Sequence, residues 1–403
     1  MRSWTSGSIV RARRTVASRT TAPRAPTNDE NQECRVNKMI RVAALSGALA
    51  LTLAACASAP EEETPAAGET TAAEGVDFKA CMVSDEGGFD DASFNQSGFE
   101  GLERAESELG IEIRSAESSD PGQYTANVDS MVQENCDLII GVGFALEDAI
   151  QAAADANPDL HFALVDSAFS DESFAPVELE NARPLLFNTQ EAAFLAGYLA
   201  AGTSKTGTVA TFGGMPFPSV TIFMDGFVDG VAKYNEDNGT AVKVLGWDKE
   251  AQDGSMIGNF SDTEAGRTTT EQFIASGADV ILPVAGPVGA GALNAASQAE
   301  GVSVIWVDSD GYEQASNEQY KPLLLTSVIK LIGNSVFDTV SAAVDGEFSS
   351  EPYVGTLENG GVDIAPLHDF EDTVPADLQS KIDELREQII SGDLVVESPS
   401  QTS

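Results

Sequence analysis

The stretch FKACMVSDEGGFDDASFNQSGFEGLERAESEL, residues 78–109, decides how the rest of the chain is read. Residues 78–83 form an apolar run of strand length, and Gly87 and Gly88 free the backbone just beyond it. Phe94, Gly98, Leu102, Ala105 and Leu109 then recur at helical spacing on one face. Asp90 or Asp91 stands where a carboxylate can accept from the first free helical N–H groups. Strand, glycine turn and amphipathic helix together open a βα unit, whose helix returns the chain to a neighbouring parallel strand.

The alternation continues down the chain. Further strand-length apolar runs lie at 138–142, 162–165, 208–212, 242–245, 280–283 and 302–307, and Phe223, Phe227, Val231 and Tyr234 share one helical face between two of them. The expected class is α/β, with parallel sheets and right-handed crossovers. At 403 residues, 42% hydrophobic, the chain can bury two such lobes. One lobe is expected to end near residues 181–184, with a new strand from Leu185. The chain is then expected to cross back near Asp308 and again beyond Leu325, making both lobes discontinuous. The boundaries read 77–182 with part of 309–403, and 183–308 with part of 326–403. No repeat of 20–50 residues points to a solenoid.

The front end reads as a targeting signal. Lys38 and Arg41 precede an apolar stretch, 42–55, that ends Leu53-Ala54-Ala55-Cys56. This resembles a bacterial lipobox, in which the cysteine thiol is diacylglycerated and becomes the first residue of the mature protein. The stretch has the length of a signal h-region rather than of a spanning helix. Residues 1–38 read as an over-extended start, 39–55 as the signal peptide, and 56–76 as a lipidated tether. The tether is rich in Glu, Thr, Ala and Gly. Arg13-Arg14 has no apolar region close behind it and is discounted as a twin-arginine signal. The expected location is the cell membrane, on its extracytoplasmic face. With Cys34 removed and Cys56 lipidated, Cys81 and Cys136 remain; outside the cytoplasm a disulfide is expected, two buried thiols being the alternative.

The net charge is −42, and it is unevenly spread. Residues 1–55 carry 9 of the 22 basic side chains but only 3 of the 64 acidic ones, so from Cys56 onward the net is −48. Such a surface repels nucleic acid and anionic headgroups, which excludes a nucleic-acid partner and leaves the N-terminal lipid as the link to the membrane.

Ligands of parallel α/β sheets collect beyond the carboxyl ends of the strands. Asp85, Asp166 and Asp308 each follow a strand run there. Singly, each could serve as a helix cap or turn residue; together they present carboxylates to one cleft. Ionised carboxylates accept hydrogen bonds, so they suit ligands rich in O–H and N–H, such as sugars and nucleosides, and disfavour anions. Phe94 offers a flat face for stacking, although periodicity alone makes it a core residue, and Asn95 can donate and accept.

Asp85-Glu-Gly-Gly-Phe-Asp-Asp-Ala-Ser-Phe94-Asn95-Gln96 resembles the opening motif of the basic membrane protein family, purine-nucleoside-binding lipoproteins of bacterial ABC importers. The likeness continues in Gln190–Tyr198, Gly226–Gly230, Gly277–Ile281, Val307–Asp310 and Thr326–Lys330. It implies a type I periplasmic-binding fold, two Rossmann-like lobes on a multi-strand hinge. Asp85 and Asn95 would then hydrogen-bond the base, with Phe94 and Phe260 stacking on its two faces. Asp308 would take the ribose hydroxyls and Asp166 a further polar contact. One departure stands out: a Gly-Leu-Lys-Asp-Gly pattern is replaced by Thr356-Leu357-Glu358-Asn359-Gly360, an acid for a lysine.

Enzyme motifs are missing. His161 and His368 lack metal-ligand spacing, no Gly-x-Ser-x-Gly elbow is present, and residues 286–291 lack the Lys-Ser/Thr of a phosphate loop. No cofactor is expected. A repressor or receptor of the same fold would need a basic helix-turn-helix or a spanning helix. The expectation is a monomeric solute-binding protein that closes about its hinge on a purine nucleoside and hands it to an ABC permease. A sugar is the alternative ligand. Asp308→Ala is expected to cost no more than about 1 kcal/mol of stability, as a mostly solvated cleft carboxylate.

Overall fold

The computed structural model describes residues 76–171, 173 and 175–401. The signal, Cys34, Cys56 and the tether up to residue 75 lie outside the described residues.

Five parallel strands build the first sheet: β1 (Lys79–Glu86), β2 (Glu112–Ser118), β3 (Leu138–Val142), β4 (His161–Val165) and β5 (Ala182–Phe187). Their spatial order is β2-β1-β3-β4-β5. Helices α1 (Phe94–Leu109), α2 (Tyr124–Gln133) and α3 (Glu147–Ala156) make the crossovers. In β1, Ala80 and Met82 belong to one apolar cluster and Cys81 and Val83 to another. Both faces of the strand are thus covered, and it reads as a continuous apolar run rather than an alternating one. β2, EIRSAES, escapes sequence reading because it is the sheet's polar edge. Cys81 and Cys136 form a disulfide with Cα atoms 5.9 Å apart, joining β1 to the residue that leads into β3.

The second sheet repeats this plan. Strands β6 (Thr208–Gly213), β7 (Lys243–Leu245), β10 (Val280–Val284), β11 (Ser303–Asp308) and β12 (Leu324–Lys330) lie in the order β7-β6-β10-β11-β12, beside a short hairpin of β8 (Trp247–Asp248) and β9 (Asp253–Gly254). Helices α4 (Thr189–Thr203), α5 (Pro218–Asn238), α6 (Thr263–Ala275) and α7 (Gly289–Ser297) complete it. α4 is buried nearly all round, and a Cβ on Gly197 would fall 2.9 Å from the carbonyl carbon of Phe227. The motifs at 190–198 and 226–230 therefore record how closely α4 and α5 approach.

Two boundaries differ from the sequence reading. β5 belongs to the first sheet, so the chain leaves that lobe after Phe187 rather than at residue 182. β11 and β12 pair within one sheet, so the chain does not cross at Asp308; it crosses after Lys330, into α8 (Ile332–Val344), which packs on α1. It then adds β13 (Tyr353–Gly355) to the first sheet, returns to add β14 (Val362–Ile364) antiparallel to β12, and ends through α9 (Ala376–Ile390) against α4. Three short crossings, near 188, 331 and 356–361, thus join the lobes.

Candidate functional site

Both sheets aim their carboxyl ends at one cleft, lined by residues of both lobes. Its lining holds all six residues singled out from sequence: Asp85 from β1, Phe94 and Asn95 from the start of α1, Asp166 after β4, Phe260 before α6, and Asp308 at the end of β11.

The loop from 87 to 93 positions Asn95. Asp91, rather than Asp90, caps α1, accepting from the backbone N–H of Asn95 at 2.9 Å and of Gln96 at 3.0 Å. Asn95 Nδ2 donates to Asp85 Oδ1 at 3.0 Å, and Asn95 Oδ1 is buried without a partner. Burial pushes the Asp85 carboxyl up to about 8, the Asn95 hydrogen bond opposing and the neighbouring Asp91 and Glu86 charges adding to it. Burial likewise pushes Asp91 up to about 6 against its backbone hydrogen bonds. Gly143, at the end of β3 with φ of +117°, makes room for Asp85: a Cβ there would lie 2.6 Å from Asp85 Cγ.

Asp166 and Asp308 occupy equivalent strand ends in the two lobes, and both hold left-handed backbone, φ 63° and 68°. Residues other than Gly adopt it in a small minority of cases, Asp and Asn more readily than most, and such positions cluster at functional sites. Between them lies Lys330, at the end of β12, paired with Asp166 and with Asp308 at 3.2 Å. Burial works against the ammonium, but the two carboxylates outweigh it and hold the Lys330 pKa above its usual value. Its Nζ also lies 4.6 Å from the Phe94 ring centroid and 5.1 Å from that of Phe223. Asp308 is only 6% exposed and accepts from Ser93 Oγ at 2.7 Å, so it is not the solvated carboxylate expected, and its removal would take one of the two carboxylate partners from the buried Lys330.

Aromatic rings wall the cleft. Phe144, from the first lobe, meets Phe217, from the second, at 5.2 Å between centroids, and Phe217 meets Phe260 at 6.0 Å. Sequence reading missed Lys330, Phe144, Phe217 and Phe223 as parts of the site. Lys330 had a signal, a lone cation closing the apolar run Leu324–Lys330; the three rings had none. Glu358, the departure from the family pattern, is exposed and stands outside the cleft lining.

Among the described residues no helix is long and apolar enough to cross a membrane. The chain is 32% identical over 377 residues to the ABC transporter nucleoside-binding protein BmpA of Lactococcus lactis, covering 90% of this chain and 99% of that one. It is 30% identical over 303 residues to an uncharacterized lipoprotein of Pyrococcus abyssi, covering 73% and 70%. The crystal structure of an ABC transporter solute-binding protein from Aeropyrum pernix K1 matches with a TM-score of 0.70 at 25% identity, over 79% of this chain and 94% of that one. The profile described as ABC transporter substrate-binding protein, PnrA-like, matches residues 78–400. The chain belongs to that family, and its role is to bind the solute of an ABC transporter.

Proposed function

We propose that the solute is a purine nucleoside, bound unchanged between the lobes and passed to the permease by a monomer tethered through a lipid on Cys56. The observation that carries the ligand is Asn95 Oδ1, a buried acceptor with nothing to accept from, set beside the Asp85 carboxylate. A buried acceptor left unsatisfied costs about 1–3 kcal/mol, which a ligand donor would recover. Two acceptors side by side match the N–H edge of a purine base, and the rings of Phe94 and Phe260 supply stacking faces. In the same lining Asp308, Asp166 and Lys330 offer acceptors and a donor to ribose hydroxyls. A sugar alone could use those groups, but it would leave Asn95 Oδ1 without a base N–H to accept from. The name of the L. lactis relative agrees with the nucleoside. The lipobox and the name of the P. abyssi relative agree with the anchor.

The test is isothermal titration of the purified protein with inosine, guanosine, adenosine, uridine and ribose, with chromatography of the recovered ligand. A purine nucleoside is expected to saturate at one equivalent and return intact. Phe94→Ala should weaken it by about 1–3 kcal/mol, roughly 5- to 150-fold. Binding of ribose with silence toward every nucleoside would overturn the reading. For the anchor, Cys56→Ser should release the protein from the membrane; retention would refute it.

A further inference from the structure

The geometry points to a second site, in the second lobe and apart from the cleft, where Asp310, Glu313 and His368 hold a divalent transition-metal ion. One ligating atom from each residue lies within 4.8 Å of the others. They come from two segments: the turn after β11 gives Asp310 and Glu313, and the segment between β14 and α9 gives His368.

What separates this group from the acidic surface of a chain at net charge −42 is an imidazole held in place. The His368 ring stacks on Tyr312 with centroids 4.0 Å apart and planes 8° from parallel. Tyr312 is itself fixed, its hydroxyl donating to Asp369 Oδ1 at 3.0 Å and its ring lying 4.8 Å from Lys321 Nζ. His368 Nε2 faces Asp310 Oδ2 at 2.7 Å. The other oxygen of Asp310 accepts from Tyr312 N at 3.1 Å, which orients the carboxylate, and Glu313 N donates to Asp310 O at 3.1 Å, which brings Glu313 onto the same turn. Asp310 and His368 are thus pre-oriented by partners of their own, as metal-binding side chains are, while the Glu313 side chain is exposed.

One imidazole and two carboxylates make a three-ligand site that leaves a position for water. The nitrogen donor favours zinc, cobalt or nickel over magnesium and calcium, which prefer all-oxygen shells. Ligand bonds of about 2.0–2.2 Å in a tetrahedral site require the donor atoms to stand about 3.4 Å apart. Admitting the ion therefore means opening the His368–Asp310 contact slightly and drawing in the exposed Glu313 side chain.

The test is titration of the purified, chelator-stripped protein with Zn²⁺, Co²⁺ and Mg²⁺. One equivalent of Zn²⁺ is expected to bind, Co²⁺ should develop visible absorption bands, and Mg²⁺ should bind at least about 100-fold more weakly. His368→Gln and Glu313→Gln should each lower Zn²⁺ affinity about tenfold or more. Glu313 is exposed, so its variant separates loss of a ligand from loss of fold, and both variants should keep wild-type solute affinity. Mg²⁺ binding as tightly as Zn²⁺, or Zn²⁺ binding unchanged in both variants, would show a diffuse acidic surface and overturn the site.

Discussion

Replacing Lys330 with Met tests the electrostatics of the cleft directly. Lys330 is 3% exposed, and its partners Asp166 and Asp308 are 8% and 6% exposed. Met matches the length of the lysine stem but leaves two buried carboxylates with no cation between them. Removing one partner of a buried ion pair costs about 3–5 kcal/mol. Unfolding entropy of about 2.1 cal/mol/K per residue gives a body of this size about 0.7 kcal/mol/K, so the melting temperature should fall by about 4–7 °C at pH 7.5. The pH dependence fixes the cause. The wild-type Lys330 pKa is raised, so its stabilising contribution is complete below the unfolded lysine value and is lost only as pH rises above it; between pH 5 and 8 it is constant. In the variant the stranded carboxylates take up protons in the folded state as pH falls, so the deficit should shrink toward pH 5. Differential scanning calorimetry across that range decides the matter. A variant within about 1 °C of wild type at pH 7.5, or a deficit that does not change with pH, would refute the reasoning.

Four further outcomes follow from the structure. Burial pushes Asp85 up to about 8, so a ligand that donates N–H to its carboxylate must first drive off a proton; affinity should rise up to tenfold per pH unit toward pH 8 and then level off, and Asp85→Asn should flatten the profile. Because the folded pKa is the higher one, the same group makes the unliganded protein lose stability as pH climbs from about 4 to 8, which melts without ligand would reveal. Gly143→Ala should displace the Asp85 side chain and strain a backbone at φ +117°, lowering solute affinity at least tenfold and stability by about 1–3 kcal/mol, measured by titration and melting together. Reducing the Cys81–Cys136 disulfide, which spans 55 residues, should remove about 4 kcal/mol on the chain-entropy estimate, read from denaturant unfolding with and without reductant.

What the sequence displayed and what it hid separate by physical cause. Strands buried on both faces, such as β3 with Leu138-Ile139-Ile140-Gly141-Val142, were legible because burial dictates composition. β2 was not, because an edge strand can be as polar as a loop. The αL aspartates were visible as residue types at strand ends but not as strained backbone, which only coordinates reveal. The lobe boundary slipped because Arg183-Pro184 looked like a break between domains, whereas Pro184 is tolerated inside β5. Lys330 passed as part of a motif because its partners lie 164 residues away at Asp166 and at the end of a different strand. Phe144, Phe217 and Phe223 are ordinary aromatics locally, and only convergence of the two lobes makes them a wall.

The placement of the charged and aromatic groups also orders the events of closure. Lys330 and Leu331 form one hinge crossing and Phe187 and Asn188 another, and Lys330 Nζ lies 6.0 Å from the Phe187 ring. Displacement in a hinge motion grows with distance from the axis, so the Lys330–Asp166 pair, joining the lobes at the pivot, moves least. A charge pair there can stay desolvated in open and closed states alike. It then contributes little to the difference between them, and the cost of hydrating three buried charges does not recur with every cycle. Other contacts between the lobes are placed to sense closure: Phe144 on Phe217, Ser93 on Asp308, Trp306 Nε1 and Ser309 Oγ on the carbonyl of Ala92, and Gln96 against Gln314. The neutral hydrogen bonds in this set contribute about 0.5–1.5 kcal/mol each net of water, and the one from Ser93 to the Asp308 carboxylate about 1.5–3 kcal/mol. A solute touching both lobes adds its contacts to the closed state alone, and that differential shifts the equilibrium.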